Sequence, residues 1–541
     1  MRARALQVAV GVALMASPTA LAALQGCGAS DEHPYDPLAY ARAAGPVGNL
    51  EAAVPPMCYT RTDGVSNPCW VCHSDGHGRN RLDDGDLQAR YDFSDEAKRN
   101  HWTNLFVDRR DAIAAVDDAT MLAWVRTDNY APLRQALAGV KARDYPGFRP
   151  DLDLARGFDA DGFARDDSGW RAVRFQPFAG AFWPTNGSTS DVFVRLPDSF
   201  QRGADGVVDR AVYRLNLSLV EAALTAPDYA TRALDRAIEP VDERLLGFDL
   251  DDDGVVRAGV TRVRRLPPRY AGAAADQLVV AQAYPRGTEL LHSVRYLDPD
   301  APSLMATRMK ELRYARKIEA PDDWGLARAY AEADDEKSEG RLPVYQGDPM
   351  VGLLSGYGWQ LQGFIEDAEG RLRVQSAEEH RSCMGCHGHL GVTIDQSFAL
   401  PRKVPGADGW RPQDLRGLHD RPQLGHVDAE VLTYVRRVGG GDETRSNDEL
   451  LARLFPGGTL AEHEVTRTAP GGDRDLAWLL APSRARALAL DKAYLAIVRE
   501  QSFIHGRDAM LRPATRVHRT IETDGTGLEP RRDARLLLDW R

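Results

Sequence analysis

Two pentapeptides constrain this chain more than any other feature: Cys69-Trp70-Val71-Cys72-His73 and Cys383-Met384-Gly385-Cys386-His387. Each reads Cys-x-x-Cys-His, the attachment signature of a c-type haem. The two thiols form thioethers to the porphyrin vinyl groups, and the adjacent imidazole becomes the proximal iron ligand. With six cysteines and 13 histidines in 541 residues, chance supplies one such string in only about two of a thousand chains. Two strings make coincidence a poor explanation. Four of the six cysteines are consumed by them.

Other chemistry uses the same residue types. A Cys-x-x-Cys pair can be a redox dithiol, a disulfide or half of a zinc site. A shared zinc site would have to join halves more than 300 residues apart, far beyond the short spacing of zinc ribbons. A thioredoxin-like dithiol has no need of a histidine directly after its second cysteine, twice over.

The N-terminus supports haem independently, because haem is attached to such motifs after export. Arg2 and Arg4 form a short positive region, Ala5 to Leu24 is apolar and Ala-rich, and small residues follow. This reads as a signal peptide over 1–26 and not as a spanning helix. Two cleavage readings compete. Ala20-Leu21-Ala22 suits ordinary signal peptidase, whereas Leu24-Gln25-Gly26-Cys27 resembles a bacterial lipobox that leaves Cys27 as an acylated N-terminus. Acyl chains would anchor the chain stably. If Cys27 is lipidated, Cys58 is a lone thiol; if cleavage follows Ala22, Cys27 and Cys58 can pair. No later stretch approaches 18 uncharged apolar residues, so the membrane enters only through such an anchor.

At 541 residues, with 43% hydrophobic and 27% charged residues, the chain has the length of about three folded domains. Its net charge of −11 argues against nucleic acid, which needs a basic face.

The expected fold class is α+β and multidomain. Mainly helical haem-bearing N- and C-terminal regions, 27–150 and 346–541, flank a mixed, partly β middle region, 151–345. Ser94 to Ala115 and Asp118 to Val140 carry helical patterning, the second broken or kinked at Pro132. Residues 170–175 and 192–196 alternate as strands, as does 278–284 in part. Residues 213–224, 301–317, 428–438 and 483–501 pattern as helices.

The middle region holds a second chemical signal. Asp249-Leu250-Asp251-Asp252-Asp253-Gly254 matches the start of a calcium loop, with Asp249, Asp251 and Asp253 as ligands and Gly254 at the sharp turn. The twelfth position is Val260 rather than a bidentate glutamate, so this is not a complete EF-hand, and the alternative is an acidic surface turn.

What closes the sixth position of each iron decides between electron transfer and substrate chemistry. His101, after the first motif, and His292, among apolar neighbours, rank first as distal ligands. His426 follows, with His380, His419, His463 and Met510 behind.

The two pentapeptides and the export signal together resemble a di-haem c-type cytochrome. The resemblance implies two covalent haems, Cys69, Cys72, Cys383 and Cys386 as thioether cysteines, and His73 and His387 as proximal ligands. It also implies electron transfer in the periplasm with a redox partner protein or a small electron donor or acceptor. The alternative is a di-haem oxidoreductase with one haem open to peroxide, O2 or a small donor. Bacterial di-haem peroxidases are the nearest enzymatic comparison, but their motif spacing is shorter, and no catalytic residue is assigned.

Overall fold

An eight-stranded antiparallel sheet organises the chain. The computed structural model describes residues 35–541 apart from 46, 48–49, 74–78, 80–84, 226–232, 388–391, 425, 439–446, 469–471, 473, 530–536 and 541. In chain order the strands are β1 (Arg171–Val173) and β2 (Thr189–Arg195), then a separate hairpin of β3 (Arg236–Asp242) and β4 (Ala258–Val263). There follow β5 (Glu289–Leu297), β6 (Met305–Lys317), β7 (Gln346–Asp348), β8 (Gly352–Leu354), β9 (Trp359–Glu366) and β10 (Leu372–Val374). The sheet order is β1-β2-β5-β6-β9-β8-β7, and β10 pairs with β9 beside β8. Residues 37–541 form one compact unit.

Register gives the two faces different tasks. His292 on β5 lies opposite Val192 on β2 and Arg313 on β6, and Arg313 lies opposite Gly363 on β9. Directly opposed residues share a face, so these four form one row across the sheet. The next residues along, Phe193, Leu291 and Tyr314, point the other way. They pack with Trp170 and with Leu133 and Leu137 of the helix Tyr130–Ala138. Each of those two leucines is fully buried, which stabilises the layer by about 1.5–3 kcal/mol apiece.

The expectation of helical terminal regions around a mixed middle is overturned. Four of the eight sheet strands, β7 to β10, come from residues 346–374, so the C-terminal region builds half of the sheet. The long helix Arg484–Glu500 shares a core with Tyr296, Ala306 and Ile365 on β5, β6 and β9. The N-terminal region carries mostly turns and short helices around its motif.

Residues 301–317 are not a helix; most of them form β6. Its burial shows no simple alternation, because charged residues are buried on both faces and paired. Arg308 reaches Glu366 at 2.9 Å, Lys310 donates to the Gly187 carbonyl at 2.6 Å, and Arg313 pairs with Glu311 at 3.0 Å. Buried charges erase the period-2 signal. Ser94 to Ala115 holds only a 3-10 turn, Thr103–Phe106, and a five-residue helix, Arg110–Ala114. The break expected at Pro132 falls earlier. Helices Asp118–Arg126 and Tyr130–Ala138 meet at 127–129, and Pro132 sits in the first turn of the second, where a missing N–H costs nothing.

Candidate functional site

Both pentapeptides fold as a single tight turn. In the first, the Cys69 carbonyl accepts the Cys72 N–H at 3.1 Å and the His73 N–H at 2.9 Å. In the second, the Cys383 carbonyl accepts the Cys386 N–H at 3.3 Å and the His387 N–H at 3.0 Å. Residues spaced i, i+3 and i+4 on a helical turn share one side, so each motif presents two thiols and an imidazole together. The second motif ends the helix Ala377–Met384. A capping box of Ser376 and Glu379 starts that helix, and Arg373 clamps Glu379 with two bonds of 2.9 Å.

The two motifs, 314 residues apart in sequence, meet across the segment 51–58. Arg381, one turn before the second motif's Met384, donates to the Glu51 carbonyl. Gly385 lies so close to this segment that a Cβ there would come within 2.1 Å of the Ala53 carbonyl oxygen. At the other end of the segment the half-buried Cys58 thiol is pushed up by desolvation, and then by the neighbouring Cys69 and Cys386 sulfurs. A cleft opens here, lined by Cys69, Cys72 and His73 on one side and by Met384 and Gly385 on another. Ala52, Val54, Pro55, Phe93, Leu342 and Pro343 give it apolar walls, and the part-exposed cations Arg90, Lys337 and Arg341 also border it. Haem is a flat apolar ring with two carboxylates, and this donor set suits it: thiols and imidazole for attachment, apolar walls for the ring, cations for the acids.

The same geometry weighs against the competing chemistries. Among the described residues, Cys58, Cys69, Cys72, Cys383 and Cys386 form no disulfide. Among the described residues, no group of cysteines and histidines brings three ligand atoms within 4.8 Å of one another, as a zinc centre requires. Burial pushes Cys69 and Cys386 up to about 11, whereas a reactive dithiol needs a depressed thiol.

Around the second motif the sheet row described above supplies the facing groups. His387 Nδ1 lies 3.1 Å from the Gln396 carbonyl. An Nδ1–H donated there leaves Nε2 with the free lone pair, the arrangement that fixes a metal-ligating histidine. Burial pulls the His387 imidazole below its usual range against the opposing pull of the Gln396 carbonyl, and Arg313 adds to the lowering. His292 is driven down to about 3 by burial, then by Arg313 and by His387 itself, so the two imidazoles are close enough to repel as cations. Its ring meets Phe182 edge-on at 5.3 Å. Arg313 senses the Cys383 and Cys386 sulfurs. Arg313 carries no sequence signal of its own, because its strand β6 patterns as a helix in sequence.

His101 and His292, ranked together from sequence, part company. His101 sits on the surface, 3.1 Å from the Glu96 carbonyl and 3.4 Å from its carboxylate, and is absent from the cleft lining. His380 is a satisfied core histidine: Nε2 accepts the Gly363 N–H at 2.8 Å and Nδ1 lies 2.8 Å from the Ser376 carbonyl. His463 is exposed beside Glu464, and Met510 is buried with Tyr59 and Trp102.

Of the acidic loop, Asp249 and Asp251 come together, but Glu243 joins them in place of Asp253. Asp253 pairs with Arg257 at 3.0 Å, the same guanidinium that reaches Asp251. Cys27 and the signal segment 1–26 lie outside the described residues. No described helix is long and apolar enough to cross a membrane.

A lipoprotein family model matches residues 43–446, a span that includes both pentapeptides and the acidic loop. An uncharacterized lipoprotein of Aquifex aeolicus (strain VF5) is 30% identical, with 92% of each chain covered. No solved structure matches the chain.

Proposed function

The chain belongs to this lipoprotein family, and on that premise we propose that it is an exported, lipid-anchored di-haem c-type cytochrome of the cell envelope. Cys69 and Cys72 would hold one haem and Cys383 and Cys386 the other, with His73 and His387 as proximal ligands. The haems would supply one-electron exchange between Fe(II) and Fe(III). The protein's part is to hold, orient and insulate them. The observation that carries this reading is the convergence of the two motifs on the segment 51–58, since electron carriers exchange electrons only at short range. Lipobox-like residues ending at Cys27 supply the anchor.

A second reading, an oxidoreductase, has one observation in its favour. His292 stands near His387, whereas His73 is the sole histidine among the described lining residues of the first cleft. The first centre would then be the one left open to a small substrate, with Met57, Tyr91 and Tyr345 around it.

Production in a host competent for c-type haem maturation tests both readings. Two haems should survive denaturation, by haem staining and by a mass gain of two haems. Resting-state electron paramagnetic resonance of the holoprotein should show a low-spin signal that His292→Ala converts to high-spin, while the other centre is unchanged. A second, high-spin signal already present in the wild type favours the oxidoreductase. No mass gain at either motif overturns the proposal.

A further inference from the structure

The hairpin β3–β4 carries a chemistry unrelated to the two motifs. We propose that Glu243, Asp249 and Asp251 hold one calcium ion in the loop 243–257. One carboxylate oxygen of each lies within 4.8 Å of the others. Oxygens bound to a single calcium at about 2.3–2.6 Å can be no farther apart than roughly twice that distance, so this spacing fits one shared cation.

A second observation is independent of the clustering. Asp251 is only 8% exposed, and its Oδ1 is buried without a hydrogen-bond partner among the described residues. A buried carboxylate oxygen left bare is costly. Its other oxygen, Oδ2, takes Arg257 Nη2 at 2.5 Å. That single guanidinium is the charge set against Asp251 and Asp253, and it leaves the cluster net negative.

The loop fixes the ligands before any cation arrives. Glu243 is fully buried, and its two oxygens accept the Leu250 N–H at 2.7 Å and the Arg257 N–H at 2.9 Å. Leu250 is itself fully buried in the main core, which pins the loop. Asp249 accepts the Gly254 N–H at 2.8 Å. Gly254 has φ +88°, a conformation that a side chain disfavours. The arrangement accounts for the departure from the EF-hand pattern. Where position twelve offers Val260, a carboxylate arrives from upstream, on Glu243 at the end of β3.

The test is calcium titration of the chelator-treated holoprotein by calorimetry, with thermal midpoints recorded with and without calcium. One calcium per chain should bind and raise the midpoint by mass action, with magnesium at least ten-fold weaker. Asp249→Asn, at a half-buried position, should weaken calcium at least ten-fold and remove the rise. Asp253→Asn should change the affinity by less than about three-fold. No binding heat and equal midpoints would overturn the site, and an Asp253→Asn loss as large as that of Asp249→Asn would overturn this ligand set. Neither outcome bears on the haems, which share no residue with the loop.

Discussion

Replacing Gly385 by alanine probes whether the two motifs really share one wall. Gly385 has φ −63° and ψ −28°, ordinary helical values that alanine adopts freely. With open space around it, the substitution would stabilise the protein by about 0.4–1 kcal/mol, through the unfolded chain. The space is not open. The new Cβ would stand 2.1 Å from the Ala53 carbonyl oxygen and 3.0 Å from the Pro55 ring, the first more than an ångström short of ordinary contact. The obstacle is backbone rather than a flexible side-chain tip, so segment 53–55 or the motif must move, at about 1–3 kcal/mol. The net expectation is a loss of roughly 1–2 kcal/mol, opposite in sign to the open-space outcome. The assay is thermal and urea unfolding of the holoprotein. Gly139→Ala serves as control, since nothing lies within 4 Å of a Cβ there. If Gly385→Ala is as stable as the wild type or more so, segment 53–55 does not press on the second motif. The convergence, and the proposed short electron path with it, would then fail.

Two further expectations concern pH and location. His380 titrates near pH 4 in the folded protein because burial disfavours its charged form, against about 6.5 when unfolded. Between those values the unfolded chain binds the extra proton, so stability should be full above about pH 6.5 and fall as the pH drops toward 4. His380→Gln should flatten that slope in midpoint-against-pH curves; an unchanged slope would refute the assignment. Cys27→Ser should move the protein from the membrane to the soluble periplasmic fraction, and a mature N-terminus found at Ala23 would dismiss acylation and revive a Cys27–Cys58 pairing.

The features legible in the sequence are local. Each Cys-x-x-Cys-His string closes within five residues, so its turn and the shared side of its three donors follow from spacing alone. The same holds for the helices Arg210–Ala223 and Arg484–Glu500, whose apolar residues recur at helical spacing in sequence. The lipoprotein reading, drawn from four residues near the N-terminus, agrees with the family. The long-range features come from packing between distant segments. β6 hides its strand period because the buried Arg308 and Lys310 find partners at Glu366 and Gly187, far off in sequence, which no local window registers. His101 and His292 look alike in sequence; sheet register puts His292 in one row with Val192 and Arg313, while His101 stays on the surface with Glu96. Glu243 lies outside the acidic motif and enters it only because the β3–β4 hairpin folds back on itself. The meeting of the two motifs is of the same kind. It rests on the close approach of Gly385 to Ala53, a contact between residues more than 300 positions apart that propensity and periodicity do not encode.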